Sequence, residues 1–332
     1  MVQEAFMKST SGKLLVILGP TATGKTDLAL QLASKFQGEL VSADSRQVYK
    51  GLDIGTGKMP SEVRSLQVRD GKWIVDGINI HLYDVISPQK QYTVADYVKD
   101  AHRVIGDIRK RGKLPIIVGG TGFYLKALLY GLTNLTIPID QKLRRKLEEL
   151  SVSQLQDKLK EISYAKWESL NNSDRQNPRR LIRVIELEIS PRRSSFDFAQ
   201  DHLRGGSASP SILKVGLTAP REVLYQRVDE RVVARIKQGM INEAKRLHKN
   251  GFSLKRMKQL GLEYGILADY LGGKMQNKQS LLARKLASKI HGFVRRQLTW
   301  FKKEKDVAWF DVNSKDFPKN VENLVTRWYY QS

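Results

Sequence analysis

The chain has no cysteine among its 332 residues. That excludes disulfides, cysteine-ligated zinc, iron–sulfur clusters and thiol nucleophiles. Nor does any apolar run approach the roughly 18 residues that a membrane helix needs. The opening segment, MVQEAFMKSTSG, lacks the basic-then-apolar pattern of a secretory signal. Together these absences lead us to expect a cytoplasmic protein with no membrane partner. Acidic residues are also scarce, since 34 Asp plus Glu stand against 57 Lys plus Arg, a net charge of +23 spread along the chain. Such an excess repels itself unless a polyanion neutralises it, so nucleic acid or phosphate is the expected partner. Charge kept for solubility alone is the alternative. What the chain does have is 41% hydrophobic residues, enough for a sizeable core, and a length suggesting two domains.

Short apolar runs alternate with helical periodicity in the first part. Lys13 to Leu18, KLLVIL, reads as a buried parallel strand bounded by Gly19 and Pro20. Leu28, Leu32 and Phe36 then form one helical stripe. Glu39 to Ala43 reads as a second strand, Val94 to Gly112 as a helix with a glycine stop, and Leu114 to Val118 as a further buried strand, followed by a helix through Leu129. This alternation predicts an α/β parallel sheet. From Ile137 to Glu188 the texture is helical, with Leu143, Leu147 and Leu150 set among charges, and 190–210 reads as a linker rich in Ser, Gly and Pro. Ser211 to Leu217 returns as a strand, and the remainder reads as mainly helical to Trp309. The expected domains are a first core part at 12–136, a helical insertion with linker at 137–210, and the returning strand with C-terminal helices at 211–332.

Between the first strand and the first helix lies GPTATGKT, Gly19, Pro20, Thr21, Ala22, Thr23, Gly24, Lys25 and Thr26, which fits G-x-x-x-x-G-K-[ST]. The glycines let backbone N–H groups converge on phosphate oxygens, Lys25 adds a point charge, and the Thr26 hydroxyl is a candidate ligand for Mg²⁺. The core is therefore expected to be P-loop NTPase-like. The loop alone specifies a phosphate and not ATP. A nucleotide hydrolase or kinase normally adds a strand ending in Asp, whereas LPIIV runs into Gly119-Gly120-Thr121. An acid does follow the second strand, at Asp44, near the carboxyl edge of the expected sheet, where ligands bind in such folds.

Several motifs together resemble the tRNA dimethylallyltransferase (tRNA isopentenyltransferase) family. They are GPTATGKT at 19–26, DSRQVYKGLDIGTGK at 44–58, the His81-Leu-Tyr-Asp stretch, YTVADY at 92–97, LPIIVGGTGFYLKALLYG at 114–131, NPRRLIRVIE at 177–186 and RRQLTWF at 295–301. The resemblance implies transfer of a dimethylallyl group from dimethylallyl diphosphate to N6 of adenosine 37, beside the tRNA anticodon, by a Mg²⁺-dependent enzyme; the oligomeric state is left open, with a monomer as the default expectation. It places the diphosphate on residues 19–26, the general base on Asp44, and a hydrogen-bonding role near the base and bridging oxygen on Thr121. Lys25, Arg227 and Arg231 would neutralise the leaving group, the two arginines matching the family's RIxxR pattern. Without the family, Arg227, Arg231 and Arg235 read equally as a solvated basic face. Asp44, Ser45, Arg46 and Gln47 match the segment that meets the target adenosine. Arg179, Arg180, Leu181, Ile182 and Arg183 match an anticodon-arm contact, while Thr121 and Arg144 match single contacts with tRNA. The run from Lys285 to Lys303 interleaves basic residues with Phe293, Trp300 and Phe301, as an RNA-facing helix or as aromatic core packing. Where many bacterial members have a Gly-Tyr-basic segment, this chain has QLGLEY, with Leu262 and Glu263 in the aromatic and basic positions.

Three other readings stay open on the residues alone. They are a phosphotransferase using ATP in the same loop, an enzyme prenylating free AMP or ATP, and a non-catalytic RNA-binding protein. Retention of Lys25, Thr26, Asp44 and Thr121 together argues against the last.

Overall fold

A computed structural model of the chain describes residues 12–132, 137, 139–190, 211–275 and 278–331. Of the expected linker, 191–210 lies outside the described residues. The described chain forms two compact units. One is built from residues up to 130 and from 200 onward, and the other from 131–199.

The first unit is organised by one eight-stranded sheet with the order β3-β4-β5-β2-β6-β1-β7-β8. β1 (Lys13–Leu18), β2 (Gly38–Ser42), β6 (Leu114–Gly119) and β7 (Ser211–Thr218) are the apolar runs legible in the sequence. They pair in parallel, with Leu15 opposite Ile116 and Leu213. Every residue of β1, β2 and β6 is buried, as expected of strands covered on both faces. Leu15 and Ile17 pack against Leu28 and Leu32 of α1 (Lys25–Lys35) and Val321 and Val325 of α14 (Phe317–Tyr330). Each such fully buried side chain contributes roughly 1.5–3 kcal/mol.

Four strands escaped the sequence reading. β3 (Leu66–Arg69), β4 (Lys72–Val75) and β5 (Ile78–His81) form an antiparallel meander that joins β2 through β5. They are short, and β3 is exposed throughout, so no buried run marks it. β8 (Val307–Asp311) pairs in parallel with β7, inside the stretch read as helical. At the far end of the fold Lys13 donates to the carbonyls of Trp328, Tyr329 and Gln331 at 3.1, 2.6 and 2.7 Å, fastening the end of α14 to the first strand.

Two of the motifs have plain structural explanations. In YTVADY, Thr93 caps α2 (Val94–Lys110): its hydroxyl accepts the Asp96 N–H at 3.2 Å, and the Asp96 carboxylate accepts the Thr93 N–H at 2.8 Å. Tyr97 then stacks on Tyr124 of α3 (Gly122–Tyr130), with centroids 4.1 Å apart. In NPRR, the Asn177 side chain accepts the N–H groups of Arg179 and Arg180, and Pro178 opens the helix.

The 131–199 unit comprises α4 (Gln141–Glu148), α5 (Val152–Ile162), α6 (Tyr164–Ser169), α7 (Asn172–Arg175) and α8 (Pro178–Ile189). It has its own core, in which Leu147, Leu155, Leu159, Leu181 and Ile185 meet. The C-terminal half of the larger unit adds α9 (Arg221–Lys237), α10 (Met240–Lys249), α11 (Leu254–Leu260), α12 (Leu262–Leu271) and α13 (Gln279–Phe301). On α13 the residues Leu282, Leu286, Ile290, Val294, Gln297 and Phe301 make one buried stripe. No helix among the described residues is long and apolar enough to cross a membrane.

Candidate active site

The carboxyl edge of the sheet opens into a cavity of about 710 Å³, whose wall includes Lys25, Thr26, Asp44, Arg227 and Arg231. β1 delivers the phosphate loop to it. Ala22 and Gly24 both take left-handed backbone conformations, and Gly24 caps α1 at φ 75°. Nothing lies within 4 Å of where its Cβ would stand, so the backbone angle and not crowding favours glycine there. The first N–H groups of α1 lack intrahelical acceptors and form an anion cradle. Within the loop, Thr23 Oγ1 and Lys25 Nζ donate to the Pro20 carbonyl at 2.9 and 2.6 Å. Burial, reinforced by the charge of Arg231 and opposed by Asp44, pushes the Lys25 ammonium down to about 7. An arriving diphosphate would restore its charge.

β2 and β6 bring the next pair together. The Ala43 N–H donates to Val118 O at 2.8 Å, and the Thr121 N–H to Ala43 O at 3.2 Å. The Thr121 hydroxyl accepts the Ser45 N–H at 3.1 Å, and Asp44 Oδ1 accepts the Arg46 N–H at 2.9 Å. Thr121 thus fixes the turn that carries Asp44 and leaves the carboxylate's second oxygen available to the cavity. Gln47 accepts from Ser42 Oγ at 3.0 Å. Its amide donates to Gly57 O at 3.4 Å.

Arg227, Arg231 and Arg235 of α9 all line the cavity, which favours the site over a solvated basic face. Arg231 is pushed down to about 10 by burial and by the neighbouring Arg235. Arg227 donates to Asn313 Oδ1 at 3.0 Å. Arg235 donates to Gly55 O at 3.3 Å, and its guanidinium fills the space where a Cβ on Gly57, at φ 63°, would stand. Only glycine fits both the angle and the approach.

Sequence reasoning missed the residues that hold this loop in place. Glu243 of α10 accepts the N–H groups of Asp53, Ile54 and Gly55 at 2.9, 2.8 and 2.9 Å, and the Tyr264 hydroxyl at 2.6 Å. Lys58, wholly buried, reaches Tyr49 O, Asp53 and Asp84 at 2.8, 2.7 and 2.5 Å. Gln297 on α13 bonds both the phosphate loop and Gly120. The only signal for Lys58 and Gln297 was their presence inside the DIGTGK and RRQLTWF motifs; Glu243 had none.

Among the described residues, no three His, Asp or Glu side chains cluster so as to hold a metal ion. Asp27 spends both carboxylate oxygens on Ser61. Thr26 lines the cavity. This donor set suits Mg²⁺, which keeps several waters and takes phosphate oxygens, and not an all-protein cage.

In the helical unit the residues matched to tRNA contacts divide. Arg179 and Arg180 are exposed, and Arg180 pairs with Asp174. Leu181 and Ile182 are 0% and 7% exposed, inside the unit's core, so within the matched segment their side chains stabilise α8 by apolar burial while Arg179 and Arg180 carry its exposed surface. Arg144 and Arg183 both bind the buried Glu186, at 2.9 and 2.6 Å. Burial pushes the Glu186 carboxyl up, but these guanidiniums and the Asp140 N–H outweigh that and hold it below its usual value. Lys285, Lys289, Arg295 and Arg296 of α13, and Lys302 and Lys303 just beyond it, are exposed while Phe301 is buried. Phe293 lies in the cavity wall, so the run carries exposed basic residues on one face and packed aromatic side chains on another.

The family model described as IPP transferase matches residues 47–304. The chain is 39% identical over 289 residues to tRNA dimethylallyltransferase 2 of Treponema denticola, covering 87% of this chain and 91% of that one. It is 36% identical over 323 residues to the tRNA dimethylallyltransferase of Carboxydothermus hydrogenoformans, covering 95% and 97%. The crystal structure of the tRNA isopentenylpyrophosphate transferase of Bacillus halodurans superposes with a TM-score of 0.67 at 32% identity, over 96% of this chain and 97% of that one.

Proposed function

Because this chain belongs to the IPP transferase family, we propose that it transfers a dimethylallyl group from dimethylallyl diphosphate to N6 of the adenosine beside the anticodon of a tRNA. The donor's C–O bond breaks, the N6–C bond forms, the N6 proton passes to a carboxylate and diphosphate leaves. The difficulty lies in N6, whose lone pair is delocalised into the purine ring, so a base that takes the proton as the bond forms lowers the barrier. Asp44 is our candidate, with Thr121 holding its turn through the Ser45 N–H. Diphosphate leaves well only if its growing charge is met, and the phosphate loop, Lys25, Arg227 and Arg231 are the groups to meet it. Thr26 is the residue that would help hold magnesium, which would supply further positive charge at the leaving group.

The observation that carries this reading is one cavity lined by both Asp44 and the cations of the phosphate loop and α9. The net charge of +23 and the exposed Arg179 and Arg180 support binding of the anticodon arm, in the cytoplasm where tRNA is met. Mass spectrometry of nucleosides after incubation with tRNA, dimethylallyl diphosphate and Mg²⁺ tests it, with N6-(dimethylallyl)adenosine as the expected product. Phosphate released from ATP under stimulation by tRNA, with no prenyl adduct, would replace this reading with a phosphotransferase or hydrolase.

A further inference from the structure

The cations of the cavity fall into two sets. Lys25, Arg227 and Arg231 have no carboxylate within 4.0 Å among the described residues, whereas Arg46 and Arg235 share one. Glu263, only 7% exposed, stands with Oε2 3.7 Å from Arg46 and Oε1 4.0 Å from Arg235. Arg46 is itself 8% exposed, stacked over the Phe293 ring at 4.8 Å and turned into the cavity wall. Without a negative charge between them, the buried Arg46 and the half-buried Arg235 would repel each other and together attract any anion entering the cavity.

The backbone shows that this carboxylate is placed at a cost. Gly261 and Leu262, the residues before it, have φ of 77° and 42°, and a left-handed leucine is an unfavourable state that persists only where the surroundings impose it. Glu263 Oε2 has no hydrogen-bond partner, so the side chain is held there for its charge and not for a hydrogen bond that a glutamine would supply equally.

We infer that Glu263 determines where anions bind in this cavity: by neutralising Arg46 and Arg235 it confines the diphosphate to the phosphate loop, Lys25, Arg227 and Arg231, and keeps the Arg46 side for an uncharged nucleobase. This rests on the donor and acceptor reading given above. Removing the charge turns the Arg46–Arg235 pair into a second anion site, which an anion would occupy at the expense of the acceptor.

The test is titration calorimetry of the full chain with inorganic pyrophosphate and Mg²⁺, paired with inhibition of prenyl transfer. The wild-type chain is expected to bind one pyrophosphate, competing with dimethylallyl diphosphate only. Glu263→Gln is expected to bind a second, with an affinity gain at that locus on the order of tenfold, and pyrophosphate then also raises KM for tRNA. Adding Arg235→Gln to Glu263→Gln returns the count to one. Glu263→Ala takes the place of Glu263→Gln if the latter does not fold. A single pyrophosphate in the charge-removed variant, with the wild-type inhibition pattern, overturns this inference alone. A wild-type chain that binds no pyrophosphate overturns the donor-site reading and this inference with it.

Discussion

Gln297 accepts the Thr21 N–H at 3.0 Å across 276 positions of sequence. Its amide nitrogen donates to Gly120 O at 2.8 Å, so one buried side chain joins the phosphate loop to the end of β6. The loop's N–H groups bind phosphate only while they converge, and this amide fixes one edge of them.

Gln297→Ala leaves the Thr21 N–H and the Gly120 carbonyl without their partner. The expected loss is about 2 kcal/mol of stability, with pyrophosphate bound roughly tenfold more weakly. Denaturant unfolding and calorimetry read the two effects separately. Weaker stability with unaltered pyrophosphate affinity would show that the amide supports the fold only.

Asp44→Asn and Asp44→Ala should fold normally by circular dichroism and lower single-turnover prenylation by roughly 10²-fold or more, as expected for a positioned base. Turnover like that of the wild type in either variant removes Asp44 from the chemistry.

Lys25 titrates near 7, below its ordinary value of 10.5. Between those values the unfolded chain holds one more proton than the folded one, so this group makes stability rise with pH across that window, while the cost of burying its charge is fully present below about 7. Ligand affinity runs the other way, because the cation exists at low pH. Pyrophosphate binding should weaken by roughly tenfold more in the wild type than in Lys25→Met from about pH 6 to about pH 8.5. Parallel pH profiles for the two proteins would mean that Lys25 does not meet the anion.

Glu243→Gln replaces one carboxylate oxygen with an amide NH₂, which then faces either the Asp53 and Ile54 N–H groups or the Gly55 N–H and Tyr264 hydroxyl. A loss of about 3 kcal/mol is expected, together with a raised KM for tRNA, since Asp53, Ile54, Thr56 and Gly57 line the same cavity as Asp44. Thermal unfolding and steady-state kinetics check both, and an unchanged melting temperature counts against the clamp.

Binding of tRNA should weaken steeply with salt, because Lys and Arg displace counterions from phosphates. Arg179→Gln with Arg180→Gln should flatten that dependence without lowering the melting temperature. Arg144→Gln or Arg183→Gln should instead destabilise the helical unit, since each leaves the buried Glu186 short of a partner. A salt slope that the Arg179 and Arg180 changes leave unaltered would deny those arginines an RNA role.

What could be read from the sequence was local. GPTATGKT carries its conformation within eight residues, and β1, β6 and β7 announce themselves as apolar runs between turns. Leu66 to Arg69 pairs as a strand without burying anything, and Val307 to Asp311 follows a helix too closely for periodicity to separate the two. Asp44 and Lys25 stood out because each sits at the end of a recognisable strand or loop, whereas Thr121 came only with the family resemblance. Glu243 and Gln297 act at separations near 190 and 280 positions, where nothing in the flanking residues distinguishes a clamp from an ordinary polar side chain. The burial of Leu181 and Ile182 was within reach, because their apolar spacing with Ile185 marks a core face.

The grip of Lys13 on the carbonyls of residues 328–331 orders events during synthesis. The first strand emerges from the ribosome early, yet its neighbours β6 and β7, and the helix end it fastens, are made about a hundred to three hundred residues later. Until β6 and β7 are made, the apolar run LLVIL is unpaired, the kind of sequence that associates with other chains and that chaperones shield. The sheet's last strand is complete by Asp311, but the fastening of β1 to α14 waits for residues near 330. A shortened chain ending before α14 would present this central strand to the cell without its last fastening.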